Sequence, residues 1–182
     1  MTIRRLARIL SSGEGAEIAE AAVVLPIVFM FVMGIIWFGR AFNIYSTITQ
    51  AAERGAVTAA RPACATCSAP VGGWNNFPGD DAVDNAVIGV LKASSIDPSQ
   101  IMASLPATYQ SCPAPAPLTD CPHTTASGIT VCRSVLLNAT TNPPQCGTIV
   151  SFRYPFKFYL PFTSLNMQQI NLAAAAQSRM EN

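Results

Sequence analysis

The spacing of apolar residues changes abruptly within the first sixty positions. Between Ala21 and Phe38 no side chain is charged, and the run reads AAVVLPIVFMFVMGIIWF. As a helix this run spans roughly 27 Å, close to the ~30 Å hydrocarbon core of a bilayer. The run therefore predicts a transmembrane helix. Pro26 is expected to kink it locally, because proline removes one backbone hydrogen bond.

From Arg40 onward the apolar residues recur three and four positions apart, which is typical of a helix with one buried face. No helix breaker separates the two patterns before Arg61-Pro62, so the sequence predicts one long helix from about Ala16 to Ala60. The predicted buried face of its second half consists of Ala41, Ile44, Tyr45, Ile48, Ala52, Gly55, Ala56 and Ala59.

Three later stretches have the periodicity of regular elements. Residues 80–94, DDAVDNAVIGVLKAS, predict a short helix with acids in its first turn and Lys92 in its last. Residues 148–159, TIVSFRYPFKFY, alternate apolar and polar side chains and predict a strand. Pro155 indicates an edge or a bulge there. Residues 128–137, GITVCRSVLL, are a second candidate strand.

These elements predict an α+β fold: a long N-terminal helix, one short helix and a small antiparallel sheet of three or four strands.

The charge of the chain argues against a nucleic-acid partner. The net charge is +1, and the residues from Arg61 onward carry six basic and six acidic side chains. A neutral domain has no basic face to displace counterions from phosphates, so no nucleic-acid partner is predicted.

All six cysteines lie after the apolar run, at Cys64, Cys67, Cys112, Cys121, Cys132 and Cys146. An even number among prolines and glycines predicts disulfides in an oxidising compartment, although the sequence does not choose among the pairings. Cys64 and Cys67 have the spacing of half a zinc site or a redox pair. No second such pair exists and His123 is the single histidine, so a structural disulfide is preferred and no metal site is predicted.

The charges around the apolar run predict its orientation. Arg4, Arg5 and Arg8 precede it, whereas only Arg40 follows within the next fifteen residues, so the N-terminus is expected in the cytoplasm. The distal domain then lies outside the cytoplasm, in agreement with the cysteines. A cleaved secretory signal fits less well. The apolar core of a signal peptide has roughly 7–15 residues and is followed closely by a small-residue cleavage site. The run here is longer, and no such site follows it closely.

A plain anchor leaves the acids before the run, Glu14, Glu17 and Glu20, without an explanation. The segment GAEIAEAAVVLPIVFMFVMGIIWFGRAFNIYSTITQAAERGA, residues 15–56, resembles the N-terminal region of TadE-like pilus assembly proteins, the minor pilins of tight-adherence (Flp) pili. The matching features are Gly15, Glu20, Pro26, WFGR at Trp37–Arg40 and AAERGA at Ala51–Ala56. Ala21 departs from the pattern, since the family usually has an aromatic residue after the glutamate.

The resemblance implies a pilin-like fold and a function. A prepilin peptidase would cut between Gly15 and Ala16, five residues before a Glu20 that serves recognition and assembly. Gly13 lacks this spacing, because its fifth following residue is Ile18. Implied partners are the prepilin peptidase, other pilins, pilus assembly platform proteins and the inner membrane. The implied segments are a leader (1–15), a transmembrane helix (16–39), an amphipathic extension (40–60) and an extracytoplasmic domain (61–182).

The resemblance also bears on residues 169–179. The stretch INLAAAAQSRM favours a helix by propensity, but it and VSFRYPFKFYLPF loosely resemble the closing strands of the family, so a strand is preferred. The expected protein is a non-catalytic, single-pass component of the inner (cytoplasmic) membrane that belongs to a Flp pilus or a related secretion apparatus. Whether it enters the filament and which system it serves stay open.

Two alternatives remain. One is a pseudopilin of a type II secretion system, and the other is a signal-anchored extracytoplasmic domain with an activity of its own. One histidine, few acids and no glycine-rich phosphate loop give little material for catalysis. Asp120, His123 and Ser127 are close in sequence, but a triad is a spatial arrangement. No catalytic residue and no cofactor are predicted.

Overall fold

A single helix, α1, runs from Gly13 to Ala60 and contains Pro26. The computed structural model describes residues 13–61, 77–105, 107–113, 121, 123–157 and 169–180, with side chains from Glu17 onward. The predicted long helix is confirmed, and it ends immediately before Arg61-Pro62 as expected. By internal contacts the chain divides into two compact units, Met1–Phe42 and Asn43–Asn182. The kink expected at Pro26 stays a prediction.

In the second unit, the inner part of α1 buries a face made mainly of alanine. Ile48, Ala51, Ala52, Ala56 and Ala59 are all buried. Tyr45, expected on this face, is 47% exposed, whereas Thr47 and Ala51 are buried instead. Small side chains let α1 approach its neighbours closely: a Cβ built on Gly55 would lie 2.7 Å from Val87 Cγ2. Which residues of α1 are buried therefore depends on the elements that pack against it, and not only on the spacing of apolar residues.

Helix α2, Asp80–Ala93, confirms the predicted short helix. Gly79 precedes it, Asp80 and Asp81 occupy its first turn and Lys92 its last, an arrangement that suits the helix dipole. Its buried apolar residues are Val83, Val87 and Leu91, spaced four positions apart on one face. A short 3-10 helix, Pro98–Gln100, follows and is capped by the Asp97 side chain, which accepts a hydrogen bond from the Ser99 N–H at 3.0 Å.

The sheet is antiparallel and has five strands among the described residues, more than the three or four expected. The strands are β1 (Met102–Ala103), β2 (His123–Thr124), β3 (Thr130–Asn138), β4 (Gln145–Lys157) and β5 (Gln169–Arg179). Strand β4 is central. It pairs with β5 on one side, and on the other with β3 and, further along, the short β1. Strand β2 extends the sheet beyond β3.

Strand β4 confirms the predicted strand, and its apolar side chains at Val150, Phe152, Tyr154 and Phe156 are buried. The opposite face is partly covered too, because Ser151 is also buried. Pro155 pairs with Asn171 of β5. Within the described part of the chain, β1 and β3 reach only as far as Arg153, so β4 is locally an edge at Pro155. This is one of the two environments expected for a proline in a strand.

Strand β5 confirms the preference for a strand over a helix at residues 169–179. It pairs with β4 without interruption, from Gly147↔Arg179 to Lys157↔Gln169. Its four consecutive alanines favour a helix in isolation. The full-length ladder with β4 and the packing of Leu172, Ala174 and Ala176 against the core outweigh that local preference.

Among the described residues, two disulfides join loops to the sheet. Cys112–Cys146 links the segment before β2 to the start of β4, and Cys121–Cys132 links Cys121, two residues before β2, to β3. The prediction of disulfides is confirmed for these four cysteines. Cys112 and Cys121 are therefore each bonded to a strand and not to each other. Cys64 and Cys67 lie outside the described residues.

Candidate functional site on the N-terminal helix

The outer part of α1 presents apolar side chains on every side. Fourteen large apolar residues between Ile18 and Phe42 are 46% or more exposed. This helix is long and apolar enough to cross a membrane, and no residue in its most apolar stretch is buried within the protein. A helix that is apolar all round is stable only when lipid or other protein covers it. The protein thus has an N-terminal helix capable of spanning a membrane.

One side of this helix carries a shallow apolar groove. Its floor is Gly34, where an added Cβ would meet no atom within 4 Å. Small residues at such positions let a second helix approach closely in a membrane. The groove is lined by Ile27, Met30, Phe31, Gly34, Ile35 and Phe38, none of them ionisable.

The predicted processing residues lie at the start of α1. The backbone of Gly15 and Ala16 belongs to its first turn, and Glu20 follows about one turn later. Glu17 and Glu20 are exposed, and neither has an ion-pair partner among the described residues. The next charged residue along the helix is Arg40. Glu20 is therefore the last charge before the apolar run and is free to pair with a group from another chain.

At the other end of the apolar run, an arginine and a tryptophan are in contact. The Arg40 Cζ atom lies 5.8 Å from the centroid of the Trp37 ring, a distance at which the guanidinium is attracted to the ring face. The two residues are three positions apart and so lie on neighbouring turns of one helix face. The apolar run therefore begins at an acid and ends at a cation stacked on an aromatic ring.

In the second unit, His123 and Arg133 converge on Asp80 at the start of α2. Arg133 donates to Asp80 Oδ1 at 2.6 Å and to the Pro78 carbonyl at 2.9 Å, and His123 Nδ1 lies 3.0 Å from Asp80 Oδ2. Arg133 lies where the register of the β3–β4 pairing shifts, between Cys132 and Val135, and the next residue, Ser134, has a positive φ of 57°. Such bulges turn a side chain in a new direction. Sequence analysis missed this cluster, because its members are far apart in the chain.

The cluster also bears on the stretch of Asp120, His123 and Ser127. Asp120 lies outside the described residues, and His123 pairs with Asp80 of α2. Within the described ranges, no group of three or more histidine, cysteine, aspartate or glutamate side chains has an arrangement that could hold a metal ion. Arg133 occupies one oxygen of Asp80, and His123 is 62% exposed at the surface. The arrangement is that of an ion-pair link between the sheet and α2.

A comparison with protein families identifies the N-terminal helix. The family model described as TadE-like protein matches residues 15–57. This part of the chain is TadE-like. The match begins at Gly15 and ends within the buried part of α1, so it does not reach α2 or the sheet. No curated protein and no solved structure matches the chain.

The match over residues 15–57 indicates a protein associated with Tad pili. TadE-like proteins are associated with Tad pili and have a structural role there. The same match indicates association with a membrane and with other pilus components. The exposed apolar helix agrees with a single-pass membrane protein.

Proposed function

We propose that this TadE-like protein is a minor pilin of a tight-adherence pilus or a related secretion apparatus. It acts without catalysis, as a subunit, primer or tip component. The observation that carries the proposal is the outer part of α1, which matches the family model and exposes its apolar side chains on every side. Such a helix is covered first by lipid and, on assembly, by the helices of other pilins.

In this proposal the helix crosses the inner membrane once with its N-terminus in the cytoplasm. The arginines at Arg4, Arg5 and Arg8 support that orientation, because basic residues remain on the cytoplasmic side. The two disulfides of the sheet support an oxidising compartment for the second unit. Both lines of argument favour the same topology.

Maturation would occur by cleavage between Gly15 and Ala16. These residues lie in the first turn of α1, where the backbone N–H groups lack partners within the helix, so local unwinding costs little. Glycine at the scissile position permits the extended, closely approached backbone that a protease cleft requires. Cleavage removes the three leader arginines and leaves a new ammonium group on Ala16.

After cleavage, Glu20 would pair with the Ala16 ammonium of a neighbouring pilin. In a filament, Glu20 would be covered by the helices of other pilins, and an unpaired carboxylate that is removed from water is costly. A neighbour's ammonium offsets part of this cost and fixes the axial register, as one buried polar residue can do in a coiled coil. Glu20 is exposed and lacks an ion-pair partner among the described residues, so the carboxylate is available.

The mature N-terminus tests the proposal directly. Mass spectrometry of the membrane-bound protein should find a terminal peptide beginning AEIAE. Gly15→Val should remain uncut, whereas Gly13→Val, a matched change two residues away, should be processed normally. An intact Met1 terminus in cells that process other prepilins, or a cut after the apolar run, would refute the proposal.

A further inference from the structure

The charges that bound the apolar run are separated by one bilayer thickness. No charged side chain lies between Glu20 and Arg40. At 1.5 Å per residue their Cα atoms are roughly 30 Å apart along the helix, and the hydrocarbon core is also ~30 Å thick. When Glu20 lies at one headgroup layer, Arg40 therefore lies at the opposite one.

At that level Arg40 has the surroundings of a lipid-binding cation. Trp37, one turn closer to the bilayer centre, has an amphipathic ring of the kind that concentrates at membrane interfaces. The ring supports the guanidinium on one side, at 5.8 Å from the Cζ atom. Arg40 is exposed, and a Cβ added to the adjacent Gly39 would meet no atom within 4 Å. A headgroup can therefore approach the guanidinium from its open side.

We propose that Arg40, stacked on Trp37, binds the phosphate of a phospholipid headgroup at the membrane surface opposite Glu20 and thereby sets the depth of α1. A guanidinium matches a phosphate with two parallel N–H donors, and the ring restricts its orientation before the lipid binds. Arg40 is the only cation between the leader and Arg54, so no other basic side chain offers this contact near the apolar run.

The inference rests on the membrane insertion contained in the proposed function, and depth measurements on the full chain test it. Trp74→Phe leaves Trp37 as the single tryptophan. The protein is reconstituted into phosphatidylcholine vesicles, and quenching of Trp37 by fatty-acid methyl esters that carry doxyl groups at different depths locates the ring. A parallel series uses digalactosyl diacylglycerol vesicles, whose headgroup has no phosphate.

In phosphatidylcholine, Arg40→Ala should move Trp37 toward the bilayer centre by up to one helical turn, roughly 5 Å. Arg40→Lys should give a smaller shift, because it keeps the charge but loses the planar fork. Arg54→Ala, which removes an exposed arginine farther along the same helix, should leave the depth unchanged. In the galactolipid, Arg40→Ala should produce no shift.

Two results would overturn the inference alone: an unchanged depth for Arg40→Ala in phosphatidylcholine, or an equal shift in both lipids. Retention on vesicles during an alkaline wash is measured on the same samples. If the parent protein is washed off, membrane insertion itself is refuted, and the proposed function fails with it. A parent that is retained while Arg40→Ala shows no shift refutes only the role of Arg40.

Discussion

Isoleucine has opposite surroundings in the two parts of α1. Ile35, in the first unit, is 71% exposed, and Ile48, in the second, is fully buried. The outer part exposes apolar side chains on all sides. The inner part packs one face against α2 and the sheet. A continuous helix thus serves two environments. The outer part must obtain its stability from lipid or from other chains, and the inner part obtains it from this chain.

The sharpest way to separate the two parts is a substitution that affects assembly and leaves folding unchanged. Glu20→Ala should still be inserted and cleaved but should be lost almost completely from pili, because the proposed pair with a neighbour's ammonium cannot form. Glu17→Ala, nearly one turn away on the same exposed helix end, should have far less effect. Recovery with sheared pili or assembly complexes measures both. Equal recovery of the two variants would remove the pairing role of Glu20.

The disulfides should act only on the second unit, and to different extents. Cys112–Cys146 closes a separation of 34 residues and Cys121–Cys132 one of 11. From loop-closure entropy, replacing each pair by serines should lower the free energy of unfolding by about 4 and about 3 kcal/mol respectively. Urea unfolding of the full chain in detergent checks the order. A reversed order, or any loss of membrane insertion, would contradict this division of roles.

Within the second unit, two helical glycines differ in how much room they leave for a side chain. In the second unit a Cβ on Gly55 would lie 2.7 Å from Val87 and 3.2 Å from Val150, both fully buried. Gly55→Ala should therefore destabilise this unit by about 1–3 kcal/mol through overpacking. Gly89→Ala, on the open side of α2, should stabilise it by up to about 1 kcal/mol through helix propensity. Thermal unfolding would distinguish the two signs.

The smallest expected effect is a dependence of stability on alkaline pH. Burial, and secondarily the negative charge of Asp97, raises the pKa of Tyr154 above 10.0, although a hydrogen bond with the Asp97 backbone opposes the shift. Because the folded state favours the neutral phenol, this contribution is fully present below pH 10 and is lost as the pH rises through 10 toward the folded pKa. Tyr154→Phe should flatten the stability profile in that range.

Asp97→Asn is the matched control for that measurement. It removes the charge but not the burial, so it should weaken the alkaline dependence without abolishing it. Denaturant midpoints measured between pH 9 and 11 would show the three profiles. A profile for Tyr154→Phe that falls as steeply as that of the parent protein would contradict the assignment to Tyr154.

The periodic elements were accessible from sequence because their signal is local. The change of spacing at Arg40 located the two parts of α1, and the alternation at residues 148–159 predicted β4. The TadE-like features at residues 15–56 were also local, and the family match at 15–57 agrees with them. The cleavage position and the roles of Gly15, Ala16 and Glu20 stay predictions.

Other features depended on contacts between distant residues. Tyr45 fits the apolar stripe by position, yet it remains exposed because the sheet and α2 pack on the side that contains Thr47 and Ala51. Strand β5 became a strand only through its ladder with β4, since its alanines alone favour a helix.

The sequence by itself determined where α1 begins to be apolar and where it acquires one buried face, and it predicted the disulfides that Cys112, Cys121, Cys132 and Cys146 form. Only the tertiary structure decided which cysteines pair and that His123 and Arg133 meet at Asp80. The reason is physical. Helical and strand periodicity reflect neighbours within a few residues, whereas strand register, disulfide pairing and ion pairs depend on loop closures that bring distant segments together.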